Sequence, residues 1–121
     1  MKLSIAIFTT LFISTMSLQA QHTFIYELRL FERFRHRSQW SQKEHAIQQE
    51  HVAYLDSLTK AGKLQLAGII DQGLENHTGF VILTTDSYEE ALEISQQDPS
   101  IKQGMMTAHL RSINIYFRKE Q

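Results

Sequence analysis

A histidine and an aspartate are the residues of this chain best suited to proton-transfer chemistry. His51 falls on the apolar face of a predicted helix, and Asp98 stands directly before Pro99 at the predicted end of a second helix. An imidazole gains or loses a proton near neutral pH, and a neighbouring carboxylate orients the ring and stabilises its charge. The pair therefore predicts a general acid–base site in which His51 moves the proton and Asp98 supports it.

Both residues also have structural interpretations. A histidine on an apolar helix face is commonly buried with a hydrogen bond to a backbone carbonyl, and an aspartate before proline commonly turns the chain. The sequence alone does not bring His51 and Asp98 together. Three hypotheses therefore stay open: an isomerase or lyase that uses the pair, a binding module without catalysis, and a buried polar brace between two helices.

Other side chains predict the kind of ligand. Arg29 and Arg33 belong to a basic run that ends at Arg37, and a guanidinium can bind a carboxylate through two hydrogen bonds. Tyr26 and Tyr54 can supply hydroxyl groups to the same space. We expect a small anionic organic ligand, although a charge run is also typical of a solvated loop.

The hydrophobic pattern predicts four strands and two helices. Strands are expected where apolar and polar residues alternate, and each helix is expected to begin at a capping box. The predicted strands cover residues 23–31, 64–70, 79–85 and 107–117, and the predicted helices cover 41–61 and 87–97. The order β-α-β-β-α-β indicates an α+β, ferredoxin-like fold with both helices on one face of an antiparallel sheet.

The beginning of the chain predicts export. Residues 1–20 combine a positive start, an apolar stretch and a small-residue exit, which are the three parts of a signal peptide. The apolar stretch is shorter than the roughly 20 residues that span a bilayer, so no stable membrane anchor is expected after cleavage. We expect one domain, residues 21–121, in the periplasm or the medium. A domain of this size gains useful burial by pairing, which favours a homodimer.

The composition argues against several other functions. Without Lys2 the chain carries 11 Lys and Arg against 13 Asp and Glu, a net charge of −2, so nucleic-acid binding is not expected. No cysteine is present, which excludes disulfides. The six histidines lack the spacing of a helical zinc site, and no phosphate-binding glycine loop occurs. No metal or cofactor is therefore expected.

Several short motifs occur in the order typical of the YCII-related domain family. The first is a histidine in the first helix, His51, and it is followed by a Gly-Lys-Leu turn at residues 62–64. An Ala-Gly pair follows at 67–68, and an Asp-Pro pair at 98–99 is followed by Gly104. The chain resembles this family over about residues 45–117, but it has Ile69 where many members have proline and a longer basic connection before the first helix.

The resemblance implies a fold, a dimer and a site. The fold is ferredoxin-like and pairs into dimeric α+β barrels, as in muconolactone-isomerase-like and monooxygenase-like proteins. The family's histidine and aspartate, an expected active-site dyad, correspond to His51 and Asp98. Most members have no assigned reaction, and one branch resembles chloromuconolactone dehalogenases.

Overall fold

A four-stranded antiparallel sheet forms the centre of the computed structural model, which describes residues 21–120. The predicted signal peptide, residues 1–20, lies outside the described residues. The elements are β1 (His22–Leu30), α1 (Gln42–Lys60), β2 (Leu64–Ile70), β3 (Thr78–Thr85), α2 (Tyr88–Gln97), α3 (Pro99–Lys102) and β4 (Met106–Ser112). Two short 3-10 turns, Glu32–Phe34 and Arg37–Gln39, join β1 to α1. No helix within residues 21–120 is long and apolar enough to cross a membrane.

The strand order is β2-β3-β1-β4, and every neighbouring pair is antiparallel. Because side chains alternate along a strand, one face of the sheet carries Phe24, Tyr26 and Leu28 of β1, which are all buried. Val81 and Leu83 of β3 lie opposite residues of this set and are buried with them. This inner face packs against the helices, which confirms the predicted α+β, ferredoxin-like fold.

The helices contribute the other half of the core. Leu58 of α1 and Ala91 of α2 pack into the same cluster of buried residues as the inner face of the sheet. The buried residues of α1 are Ile47, His51 and Leu58, which are separated by four and seven positions and so share one helical face. The burial of His51 therefore follows from the periodicity of the helix.

The boundaries differ from the predicted ones at two places that matter for the site. Residues 99–106 were expected to be irregular, but Pro99–Lys102 forms a helix whose first position is proline. A four-residue helix is too short for its periodicity to show in the sequence. The last strand was expected to reach Phe117 but ends at Ser112, which pairs with Phe24 near the start of β1; just beyond it the Ile113 amide donates to the Thr23 carbonyl at 3.0 Å.

The two capping boxes also behave differently. In α2 the Ser87 hydroxyl accepts from the Glu90 amide at 3.1 Å, as predicted, while the Glu90 carboxylate accepts from the Asp86 amide. In α1 the Ser41 side chain makes no capping bond to the backbone and instead donates to the Glu44 carboxylate. The start of α1 is nevertheless where the pattern predicted it.

Substituting Leu83 by alanine tests the position of the core. Leu83 is fully buried on the inner face of β3, so we expect the free energy of unfolding to fall by about 2–4 kcal/mol. Leu74→Ala is the matched control because Leu74 is 61% exposed, and we expect it to change stability by no more than about 0.5 kcal/mol. Urea unfolding measures both, and equal losses would contradict this core.

Candidate active site

His51 and Asp98 meet in the interior although they come from separate elements. His51 lies in the middle of α1, and Asp98 is the residue between α2 and α3. The His51 Nδ1 atom lies 2.8 Å from Asp98 Oδ1 and 2.9 Å from Oδ2. His51 is 7% exposed and Asp98 is fully buried. The contact therefore joins α1 to the junction of the two following helices in a medium of low polarity, where electrostatic interactions are strong.

Asp98 is surrounded by further hydrogen-bond donors. The Tyr26 hydroxyl donates to Oδ2 at 3.1 Å, and Ser100 donates to Oδ1 through its amide at 3.0 Å and its hydroxyl at 2.7 Å. Burial opposes the charged form, but the hydrogen bond and charge of His51, and then the bonds from Ser100, hold the pKa of Asp98 below its ordinary value. Asp98 is therefore an ionised carboxylate whose oxygens are fully engaged.

The two tyrosines that were predicted to bind substrate have protein partners. Burial, followed by the charge of Asp98, raises the pKa of the Tyr26 phenol far above its ordinary value, so this residue remains a neutral donor to Asp98. The Tyr54 hydroxyl donates to the Ile94 carbonyl at 2.6 Å, and burial and then Asp98 raise the pKa of Tyr54 to about 12. Tyr26 therefore supports Asp98 from the inner face of the sheet. The Tyr54 hydrogen bond connects α1 to α2.

A cavity of about 310 Å³ lies beside His51, between α1 and one half of the sheet. This volume is at the lower end of the range for small-molecule sites. Most of its lining is apolar or glycine, and the polar side chains are few. The lining residues are Leu28, Leu30, Arg37, Trp40, Gln48, His51, Val52, Leu55, Ala67, Gly68, Ile69, His77, Gly79, Phe80, Val81 and Met106.

The free nitrogen of His51 is the reactive group that this cavity can use. Asp98 occupies Nδ1, and within residues 21–120 no protein group hydrogen-bonds to Nε2. In the neutral ring, a proton on Nδ1 that is donated to Asp98 leaves the lone pair on Nε2. A ring held in this way is chemically able to act as a general base.

The arginines fall in different places from those that the sequence suggested. Arg29 lines a separate space of about 30 Å³, together with Arg35. The Arg33 guanidinium lies over the Phe34 ring, 4.7 Å from its centroid, and outside the cavity. Arg37 lines the cavity, and sequence reasoning did not single it out. The available signal was its position three residues before Trp40, which also lines the cavity.

Larger spaces also lie away from the dyad. A space of about 520 Å³ is lined by Phe31, Glu32 and Arg33, and two more lie near the end of the described chain. One of about 900 Å³ lies between the start of β1, the start of α2 and residues 112–118. The other, of about 920 Å³, lies between residues 115–120 and one face of the sheet. Both are formed largely by the chain end and contain neither His51 nor Asp98. Within the described part of the chain, no group of three or more histidine or acidic side chains is placed to hold a metal ion.

Comparison with solved structures places the fold among known proteins. The 5-chloro-2-hydroxyhydroquinone dehydrochlorinase of Burkholderia phenoliruptrix, solved with 2,5-dihydroxybenzoquinone, matches with a TM-score of 0.58 and 18% identity over 76% of this chain and 93% of that chain. At this identity the match shows a shared fold. A dimeric ferredoxin-like protein from an uncultured marine organism matches with a TM-score of 0.38 and 15% identity, over 84% of this chain and 96% of that one. No curated protein matches the sequence.

Comparison with protein families gives a more direct result. The YCII-related domain matches residues 28–110, which is well over half of the 121-residue chain. The match contains the last three residues of β1, both main helices, β2, β3 and all but the end of β4, and it includes His51 and Asp98. The chain therefore belongs to the YCII-related domain family.

Proposed function

We propose that this protein is an exported, cofactor-independent enzyme that transfers a proton on a small organic acid, with His51 as the general acid–base. The observation that carries the proposal is the buried His51–Asp98 contact beside a cavity of small-molecule size. Export is proposed from the pattern of residues 1–20. Asp98 has the role of a positioning residue that acts through His51.

The chemistry follows from the two ring nitrogens. Asp98 holds the Nδ1 proton, so Nε2 accepts a proton from an acidic carbon of the substrate, and the Asp98 carboxylate stabilises the imidazolium that forms. In an elimination, the C–H electron pair forms the new double bond and the leaving group departs with its bonding electrons. In an isomerisation, the same nitrogen returns the proton to a different carbon. Both reactions are complete without a redox partner.

Elimination is the reaction that we propose to test first. The structurally similar protein is named as a dehydrochlorinase, and loss of hydrogen chloride is an elimination of the kind described. The largely apolar lining of the cavity supports such a step, because surroundings of low polarity strengthen the interaction between Asp98 and charged His51. The substrate named for that protein is therefore a suitable first compound.

The variant His51→Asn tests the general base. With 5-chloro-2-hydroxyhydroquinone and a panel of small carboxylic acids in D₂O, we expect the wild-type protein to release chloride or to exchange C–H for deuterium with at least one compound. Loss of the base should lower this rate by about 10²–10⁴-fold. Proton NMR and chloride release measure the two reactions.

His22→Asn is the matched control for this experiment. His22 is exposed at the start of β1 and does not line the His51 cavity. We expect it to retain the wild-type rate. Equal rates in the two histidine variants would refute the catalytic role of His51. If His51→Asn instead weakened binding of compounds that no variant turns over, the protein would be a binding module.

The variant Asp98→Asn tests the buried charge through the pH dependence of stability. Because folding lowers the pKa of Asp98, its ionised form stabilises the folded state above the ordinary pKa of 3.8, and this stabilisation is lost as the pH falls through the lower folded-state value. We expect Asp98→Asn to cost roughly 3 kcal/mol at neutral pH, since it removes one partner of a buried pair.

The difference in unfolding free energy between wild type and Asp98→Asn should therefore shrink below pH 3.8. Denaturant titrations across the acid range measure it. Asp56→Asn is the control, because Asp56 pairs with Lys60 on the exposed surface of α1, and we expect little change in stability. A difference between wild type and Asp98→Asn that is independent of pH would mean that Asp98 is not ionised in the folded protein.

We also propose that the protein is a homodimer that pairs through the outer face of the sheet. On this face Leu66, Ile82 and Ile25 lie in one row across β2, β3 and β1. Leu66 is 56% exposed, and the neighbouring Ile70 is 49% exposed. Apolar groups that share one face away from the core are typical of protein interfaces. Residues 115–120 border a space against Leu66 and Ile82, and a second copy would cover the rest of the face that the helices leave open.

Sedimentation equilibrium tests this pairing. We expect the wild-type protein to sediment as a dimer at micromolar concentration, and Leu66→Glu to sediment as a monomer because it places a charge in the apolar row. Leu74→Glu, in the β2–β3 loop, is the control and should remain dimeric. A monomeric wild-type protein would refute the proposal.

A further inference from the structure

We propose that Arg37 is the residue that binds the anionic group of the substrate and so selects organic acids at the mouth of the His51 cavity. The inference rests on the proposed function because it concerns the same cavity. The role of Arg37 differs from the proposed catalytic role of His51 because ligand binding alone can test it, without any turnover.

The first argument is the distribution of charge. Arg37 is the one side chain with a permanent charge among the residues that line the cavity. None of the ion pairs formed within residues 21–120 includes Arg37; the basic side chains in those pairs are His51, Lys60, Lys63 and Arg111. The positive charge of Arg37 is therefore not neutralised by a neighbouring carboxylate of the described chain. An anion that entered the cavity would supply that partner.

The second argument is the orientation of the guanidinium. Its central carbon lies 5.0 Å from the centroid of the Trp40 ring, which is cation–π distance. Trp40 is itself held in place, because its indole nitrogen donates to the Phe34 carbonyl at 2.7 Å and its ring packs edge-on against His45. A guanidinium that rests on a fixed ring loses less freedom when it binds a ligand, and its planar donors suit a carboxylate.

The third argument is that the other arginines of the basic run are engaged elsewhere. Arg33 rests on Phe34, outside the cavity. Arg29 and Arg35 line the separate 30 Å³ space, which has room for about one water molecule. Among the four, only Arg37 shares a cavity with His51.

The residues that line the cavity indicate what the uncharged part of the ligand should be. Trp40, Val52, Leu55 and Ile69 give the cavity apolar walls, so the body of the ligand should be apolar and small. Arg37 is exposed and His51 is buried. The anionic group would therefore lie towards solvent, and the carbon that gives up its proton would lie towards His51. The chemical class is a small carboxylate, or an equivalent organic anion, with an apolar body.

Binding of matched acids and amides tests the proposal. Benzoate is compared with benzamide, and hexanoate with hexanamide, because each pair shares its apolar body and differs in charge. Trp40 is the single tryptophan of the chain, so its indole N–H signal in a ¹H–¹⁵N spectrum reports on the cavity mouth without ambiguity. We expect at least one acid to shift this signal and to bind about tenfold more tightly than its amide.

The variant Arg37→Gln should abolish this preference by weakening the acid about tenfold and leaving the amide unchanged. Arg35→Gln removes the same charge two residues away and should preserve the preference. Equal affinity of acid and amide in the wild type, no binding of either acid, or equal losses in the two arginine variants would overturn the proposal. His51→Asn should retain the acid preference, so failure of the catalytic proposal and failure of this one give different results.

Discussion

The buried, ionised carboxylate of Asp98 is the group that the rest of the site depends on. A charge in the interior is costly unless hydrogen bonds replace the water that it has lost. Here the donors are His51 from α1, Tyr26 from β1 and Ser100 from α3. Ser100 lies two residues from Asp98, but β1 and α1 are distant in sequence and must be correctly placed before Asp98 can be buried. The same requirement fixes the His51 ring, so the geometry of the candidate site and the packing of the domain are not separable.

The cavity lies between α1 and the part of the sheet that includes β2. α1 contributes His51, Val52 and Leu55 to one wall, and β2 contributes Ala67 and Ile69 to the opposite wall. The connection between β1 and α1 closes one end with Trp40 and Arg37. This connection carries Arg33, Arg35 and Arg37 of the basic run. Its two 3-10 turns leave Trp40 and Arg37 on the cavity while Arg33 packs on its own aromatic neighbours.

The sequence predicted those features that depend on local periodicity. The order of the elements, the start of α1 after Ser41 and the inward direction of His51 each follow from patterns of a few residues. The contact with Asp98 could not be predicted in this way, because it depends on how α1 packs against the junction of α2 and α3. The role of Ser100 was hidden for a related reason, since α3 is too short to leave a periodic signal.

The basic segment shows a second limit of prediction from sequence. In the sequence, Arg29, Arg33 and Arg37 are three similar members of one charge run. In the structure they lie in three different environments, which are set by the two short turns and by the aromatic residues Phe34 and Trp40. Tyr26 shows the same limit from the inside. The alternation in β1 placed Tyr26 on one face of the strand, but its hydrogen-bond partner Asp98 comes from a distant element that this pattern does not locate.

The position of β2 at the edge of the sheet has a consequence for solubility. Its seven residues, Leu64–Ile70, carry no charge, and one side of the strand offers backbone groups that no other strand pairs. Uncharged apolar edges of this kind act as templates for pairing with other chains and so promote aggregation. Lys63 and Asp71 flank the strand, and the pairing shifts register between Leu64 and Leu66. Flanking charges and an irregular edge are common protections against such pairing, and here they are confined to the ends of the strand.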